Sequence, residues 1–363
     1  MNLSVSKTTY WAIGLMSGTS LDGIDAALIE TDGEDIIRFM GAAYHAYDAE
    51  MRRELSAAAR LDIPLNNVLR LEQKLTEHHV SAVEQLLAAC GQSPEDVDVI
   101  GFHGQTIRHL PDEGLTWQMG NPSLLAARTK IPVVSDFRRR DMAEGGQGAP
   151  LVPLFHQALM RGQEKPCMIL NLGGVANVTW LGGGEAIIAG DVGPGCGLLD
   201  RWVEKHTGRP YDKDGEVALQ GRVNKSVVAR CMEEVPFFSQ LLPKSADRYD
   251  FNKVDVTNLS AADGAATLCA ITAEAVKVAA KNLPLVPKTV WVTGGGAHHP
   301  VIMRELQERF ARVEKIDAVG QRADSLEAEC FAWLGVRRLR GLPFSRPETT
   351  GAKTETCGGV LTV

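Results

Sequence analysis

Aromatic residues are scarce: Phe, Trp and Tyr together make up 6% of the 363 residues. That is too few for a surface that stacks a run of unpaired bases. An excess of basic charge is missing as well. Lys and Arg number 38 against 45 Asp and Glu, a formal net charge of -7, so no long-range field draws a polyanionic nucleic acid to the chain. A small anionic ligand stays open, because a few local basic residues outweigh a distant net charge. No apolar run approaches the ~20 residues that cross a bilayer, and positions 1–10 are polar where a secretion signal needs an apolar stretch. The expectation is a cytoplasmic protein with no membrane partner. The cysteines, Cys90, Cys167, Cys196, Cys231, Cys269, Cys330 and Cys357, are odd in number and widely dispersed. They predict reduced thiols, most of them small core residues, in place of a disulfide framework or a zinc site.

What is present is the balance of a globular chain, 44% hydrophobic and 23% charged, long enough for about two domains. Residues 12–18 form a short apolar run, Thr19-Ser20-Leu21-Asp22-Gly23 turns, and a second run covers 24–29. Two strands joined by an Asp-Gly turn predict a hairpin, and a third strand around 37–43 extends it. Apolar residues at helical intervals predict helices over 49–59 and 66–89, with Gly91 as a stop. Buried strands are expected over 97–102 and 131–135. The same syntax then restarts. Residues 168–172 are apolar, Gly173-Gly174 turns, 175–181 resumes, Gly182-Gly183-Gly184 turns, and 186–189 is a third short strand. Helices are predicted over 196–206, 217–234, 261–282, 300–310 and 325–340, with one strand at 289–292. Two halves on one plan suggest a duplicated α/β unit. The boundaries expected are 1–135 for the first domain and 136–340 for the second, with about 340–363 returning to the first.

The densest polar turn, Gly14-Leu-Met-Ser-Gly-Thr-Ser-Leu-Asp-Gly23, has neither the Lys of a Walker loop nor the Gly-x-Gly-x-x-Gly pattern. Its glycines, hydroxyls and amides still supply what a polyphosphate needs, donors that approach closely without bulk. Asp22 stands where a magnesium ion that keeps most of its waters would reach the phosphates. The alternative is a plain hairpin turn. Asn171-Leu-Gly-Gly-Val-Ala-Asn177 and Thr293-Gly-Gly-Gly296 are further Gly-rich turns at strand ends, and the three together point to a nucleotide held in a cleft between two domains. Asp191, before Val192-Gly-Pro-Gly195, is the candidate general base, a carboxylate opposite bound phosphates that takes a proton from a nucleophilic oxygen. Asp200 either supports it or is solvated. His103, Gln105 and Arg138 follow buried strands and are candidates for holding a hydroxylated or carboxylated substrate. The neighbours His78-His79 and His298-His299 diverge on a helix and do not form a chelating pair.

Gly14-Leu-Met-Ser-Gly-Thr-Ser-Leu-Asp-Gly-Ile-Asp25, Gly101-Phe-His-Gly-Gln-Thr106, Ser135-Asp-Phe-Arg138, Gly145-Gly-Gln-Gly-Ala-Pro150, Asn171-Leu-Gly-Gly174 and Asp191-Val-Gly-Pro-Gly195 occur in this order over nearly the whole chain. In this the sequence resembles the anhydro-N-acetylmuramic acid kinases. The resemblance implies two duplicated ribonuclease-H-like domains of the actin-like ATPase type, each a mixed five-stranded sheet flanked by helices, closing around ATP and Mg2+. It implies a cytoplasmic homodimer in peptidoglycan sugar recycling that opens the 1,6-anhydro ring with water and phosphorylates O6. Asp191 would be the base. Gly18, Thr19, Ser20, Leu21, Asp22, Gly23, Ile24 and Asp25, with Gly173, Gly174, Gly294 and Gly295, would bind the nucleotide. Val192 stands where the family usually has Thr, Cys196 where it has Asn, and Asp247-Arg-Tyr-Asp-Phe251 where Gly-Arg-Glu is common. A kinase for another anhydro sugar, such as levoglucosan, and a non-catalytic nucleotide-dependent switch are the alternative readings.

Overall fold

The computed structural model describes residues 7–18, 20–60, 63–246 and 250–363. They fall into two units. The first holds residues up to Leu159 with Ser325–Pro347 and Gly351–Val363, and the second holds Met160–Asp324 with Glu348–Thr350.

In the first unit β1 (Tyr10–Ser17), β2 (Gly23–Thr31) and β3 (Ile37–Ala46) form the antiparallel opening read from the Asp-Gly turns. β4 (Val99–Leu110) lies parallel to β1 on its other side, β5 (Leu115–Met119) folds back on β4, and β6 (Val133–Ser135) runs parallel to β4. The terminal strand Val360–Thr362 pairs with β6, so this sheet has seven strands where five were expected. β1 reads as a nearly continuous apolar run because both its faces are covered. Ile13 and Leu15 point to one face and pack with Leu71, Leu75 and Leu86 of the Leu65–Cys90 helix.

The other face explains where the first unit regains the chain. Gly14 and Gly101 are direct neighbours in the β1–β4 register. Neither has a side chain, and the backbone of the Leu326–Arg340 helix lies against the bare patch they leave. A Cβ at Gly14 would overlap the Ala328 carbonyl, and one at Gly101 the Phe331 carbonyl. Arg337 of the same helix donates to the Gly33 and Pro343 carbonyls at 2.7 and 2.6 Å. The return therefore begins at Ser325, ahead of position 340, and the crossover falls at 159–160, beyond position 135.

The second unit repeats the plan. β7 (Cys167–Leu172), β8 (Val175–Leu181) and β9 (Ile187–Pro194) are antiparallel, and β10 (Thr289–Thr293) and β11 (Val313–Lys315) run parallel to β7. The order β11-β10-β7-β8-β9 matches β6-β4-β1-β2-β3 position by position. The Ala261–Lys281 helix, capped by Ser260, contributes Ala265, Cys269, Ala273 and Val276 to the core. One predicted helix is broken. Residues 217–234 form a short turn at Ala218–Gln220 and a separate helix at Lys225–Glu234, because Gly221 sits against the Ala262 carbonyl and Asn224 starts the second helix by accepting the Val227 amide at 3.1 Å. All seven cysteines are free, and four are buried.

Candidate active site

Asp191 does not follow its strand; it lies within β9, which runs on to Pro194. The register places it beside Asn177 on β8, Asn177 beside Asn171 on β7, and Asn171 beside Thr293 on β10. Residues directly opposite one another share a face of a sheet, so four polar side chains form a row across four strands. The pairing slips between Asn177 and Ala176, which leaves Val192 as the extra residue of a bulge, its side chain fully buried. That packing explains why an apolar residue follows the carboxylate. The Oδ1 atom of Asn177 is buried and has no hydrogen-bond partner among the described residues. A buried amide oxygen of this kind is a place for a ligand hydroxyl or a water.

β9 is an edge strand, and the segment around Lys244 covers that edge. The Asp191 amide donates to the Lys244 carbonyl at 2.8 Å, and the Ala246 amide donates to Asp191 Oδ2 at 2.7 Å. Gly190 permits this approach, since a Cβ there would lie 2.7 Å from the same carbonyl. The Lys244 side chain is buried, donates from Nζ to the Phe237 carbonyl at 2.6 Å, and lies 4.1 Å from the Phe237 ring centre. Burial pushes its ammonium down to about 8, against the opposite pull of the Asp191 carboxylate.

Gly173 and Gly174 form the tight turn between β7 and β8. Their carbonyls accept the amides that follow the bulge: Cys196 to Gly173 at 2.7 Å, and Gly195 and Gly197 to Gly174 at 3.1 Å each. These glycines thus hold the loop behind Asp191. Gly294 lies against the Asn171 side chain, and Gly295, exposed, opens the short Gly295–His298 turn. His299 then contacts Asp212 at 3.2 Å, and Asp212 accepts the Val217 and Ala218 amides at 2.8 and 3.0 Å. Asp200 is no solvated side chain. Burial pushes its carboxyl up to about 6, with Asp212 adding to the rise and His299 opposing it.

In the first unit the turn after β1 is closed by the Leu21 amide on the Gly18 carbonyl at 3.3 Å, with Leu21 in the left-handed region at φ 56°. Ser20 donates to the exposed Asp22 carboxylate, whose main-chain carbonyl accepts the Tyr47 amide at 2.9 Å. One exposed carboxylate beside a hydroxyl is a donor set that suits a magnesium ion keeping most of its waters. Gly23 and Ile24 are buried at the start of β2, and Asp25 stands opposite Met16 and Tyr44. Thr19 lies outside the described residues.

His103 and Gln105 sit inside β4, which extends past the strand end expected at 102. His103 Nδ1 is 2.7 Å from the Gly104 carbonyl, while Nε2 faces Arg138 Nε and Nη2 at 3.2 and 3.0 Å. A guanidinium only donates, so Nε2 accepts and the proton is on Nδ1. Burial, and after it the Arg138 charge, hold this imidazole well below its ordinary value. Arg138 also donates to the Gly148 carbonyl at 2.8 Å, which ties it to the Gly-rich loop. The Gln105 amide is fully buried and spent inside the unit, on Ser17 and the Gly18 carbonyl. Asn177 stands out in the sequence only as the end of a Gly-rich turn, and Lys244, Asp212 and Tyr47 carry no local signal, because they meet Asp191, His299 and Ser17 from distant parts of the chain.

The two units share one sheet order, carry Gly-rich turns at strand ends and, in the second, hold a strapped carboxylate at a bulge; together with the sequence relationships that follow, this makes the chain a sugar kinase of two α/β domains. The family model for anhydro-N-acetylmuramic acid kinase matches residues 10–363, and the chain belongs to that family. The anhydro-N-acetylmuramic acid kinase of Rhizorhabdus wittichii is 48% identical over 361 residues, covering 97% of this chain and 99% of that one. Those of Acidiphilium cryptum and Paramagnetospirillum magneticum are 49% and 48% identical, over 96% of this chain and 97% and 98% of theirs. Among solved structures, component A of the (R)-2-hydroxyglutaryl-CoA dehydratase of Acidaminococcus fermentans aligns with a TM-score of 0.48 at 11% identity, over 91% of this chain and 99% of that one.

Proposed function

We propose that this chain is an ATP-dependent kinase that opens the 1,6-anhydro ring of 1,6-anhydro-N-acetylmuramic acid and phosphorylates O6. Its products are N-acetylmuramic acid 6-phosphate and ADP, a step in the recycling of peptidoglycan sugar. Family membership over residues 10–363 carries the substrate, and the strapped carboxylate of Asp191 carries the chemistry.

The anhydro bridge leaves no hydroxyl at carbon 6 to phosphorylate. Water opens the bridge and supplies the oxygen that carbon 1 then carries. Its oxygen bonds to carbon 1 as the bond from carbon 1 to the bridging oxygen breaks, and Asp191 takes its proton. The bridging oxygen becomes O6 and accepts the γ-phosphoryl group, while the bond to the ADP oxygen breaks. A positioned base contributes about 10²–10⁴ to such a rate. The Ala246 amide and the edge strap fix the carboxylate, so little reorientation is needed when water is attacked. Asn177 Oδ1, beside it, is the acceptor for a hydroxyl hydrogen of water or sugar.

The turn from Gly18 to Asp25, with Gly173, Gly174, Gly294 and Gly295, takes the nucleotide in this reading. Mg2+ would be held at Asp22 through water, where it neutralises phosphate charge. Arg138, oriented by His103, takes the sugar's carboxylate or hydroxyls. The chain acts as a cytoplasmic homodimer; no helix among the described residues is long and apolar enough to cross a membrane.

Turnover in heavy-oxygen water tests the chemistry. The product should gain one phosphoryl group and one water, with the label on carbon 1, and Asp191→Asn should lose about 10²–10⁴ in kcat. A gain of phosphoryl alone, or an undiminished Asp191→Asn protein, overturns the proposal.

A further inference from the structure

The nucleotide role of the turn from Gly18 to Asp25, on which this inference rests, requires something to hold the turn in shape. We infer that Tyr47, Ser17 and Gln105 form a buried hydrogen-bond relay that positions the turn for ATP, so that Gln105 serves the nucleotide and not the sugar.

The three side chains come from separate parts of the first unit: Ser17 ends β1, Gln105 lies in β4, and Tyr47 follows β3. Tyr47 OH is 2.8 Å from Ser17 Oγ, Ser17 Oγ is 2.5 Å from Gln105 Oε1, and Gln105 Nε2 is 3.0 Å from the Gly18 carbonyl. Proton arithmetic fixes every direction. Gln105 Oε1 only accepts, so the single Ser17 hydrogen goes to it, and Tyr47 must donate to Ser17. With its oxygen held, the Gln105 amide has one orientation, and its NH2 group faces the turn. The main-chain amide of Tyr47 meanwhile donates to the Asp22 carbonyl at 2.9 Å. One residue therefore steadies both ends of the turn, through its side chain at Ser17 and its backbone at Asp22.

The local backbone serves the same contact. Leu15 pairs with Phe102 and Ser17 with Gln105, so β4 carries one extra residue there, and Gly104 adopts φ +74° within the bulge. The bulge brings Gln105 onto Ser17. Tyr47, Ser17 and Gln105 are 6%, 1% and 0% exposed. Burial raises the Tyr47 phenol far above its ordinary value, which keeps it a donor. Apolar side chains would fill the same space at less desolvation cost. What they would not supply is the bond from Gln105 to the Gly18 carbonyl.

The test compares full-length wild type with Tyr47→Phe and Gln105→Met. We expect KM for ATP, and the Kd for ATP by equilibrium dialysis, to rise about 3- to 10-fold in each variant. KM for the anhydro sugar should stay within about twofold, a split that a general loss of folding would not produce. Unchanged ATP affinity in both variants overturns the relay, as does a rise confined to the sugar KM. Should Gln105→Met melt below the assay temperature, Tyr47→Phe, which keeps the ring, decides alone. Wild-type turnover beside unchanged variants removes this inference only. A wild-type protein that fails to bind ATP removes the kinase reading and the relay with it.

Discussion

The main-chain carbonyl of Lys244 accepts the amide of Asp191 at 2.8 Å, while the Lys244 ammonium is buried against the Phe237 carbonyl and ring. One residue thus closes the edge of β9 beside the proposed base and places a positive charge near its carboxylate. A buried charge with a carbonyl as its close partner is costly. The cost falls at the point where the orientation of Asp191 is decided.

Replacing Lys244 with Met keeps the stem and removes the charge. The carboxylate of Asp191 then loses a nearby cation that favours its ionised form, so the acid limb of the kcat profile should move to higher pH. We expect kcat to fall about tenfold with KM for both substrates little changed. Stability supplies an independent reading. The ammonium titrates at about 8 in the folded chain and at 10.5 ordinarily. Below pH 8 both states hold the proton and the burial cost is full. Between the two values the unfolded chain holds a proton that the folded chain has released, so stability rises with pH. Chemical denaturation should show wild type gaining on Lys244→Met from pH 8 to 10. A constant difference would refute the assignment.

Asp200 gives the opposite sign. Its folded value of about 6 lies above the ordinary 3.8. The contribution of this group is intact below pH 3.8 and is lost as pH rises through 6. At pH 7.5 the carboxylate is charged in a half-buried site where burial opposes charge. Asp200→Asn should therefore raise Tm at pH 7.5 and leave it nearly unchanged at pH 4. A lower Tm at pH 7.5 would show that the negative charge is itself required there.

The two hairpin openings are legible because apolar runs of strand length are separated by Asp-Gly or Gly-Gly turns, a signal confined to a few neighbouring residues. β9 and β4 run longer than their composition suggests. Gly190-Asp191-Val192-Gly-Pro194 and His103-Gly-Gln105 have little intrinsic strand preference, and pairing with β8 in one case and β1 in the other extends them. The site divides the same way. Asp191 and the turn from Gly18 to Asp25 are visible as local motifs. Tyr47 and the strap lie 30 positions from Ser17 and 55 from Asp191 respectively, so only folding joins them. The departure at Val192 also becomes intelligible, since the bulge turns that side chain into the core.

The return of the chain to the first unit rests on the absence of two side chains. At Gly14 and Gly101 the backbone of the Leu326–Arg340 helix occupies the volume a Cβ would need, and the obstructing atoms are carbonyls of a regular helix, which do not rotate aside. Adding even one methyl forces the helix off the sheet. Overpacking of this kind costs about 1–3 kcal/mol, and more where backbone must move. The helix also carries Phe331, Trp333 and Arg337 into the unit, so a shift loosens several contacts at once. Gly14→Ala and Gly101→Ala should each lower the unfolding free energy measured by urea denaturation by at least this amount. Gly91→Ala, at a helix end where a Cβ meets nothing within 4 Å, pays only for φ +65° and should cost about 1 kcal/mol. Equal losses at all three positions would show that backbone conformation, and not the docked helix, sets the requirement for glycine.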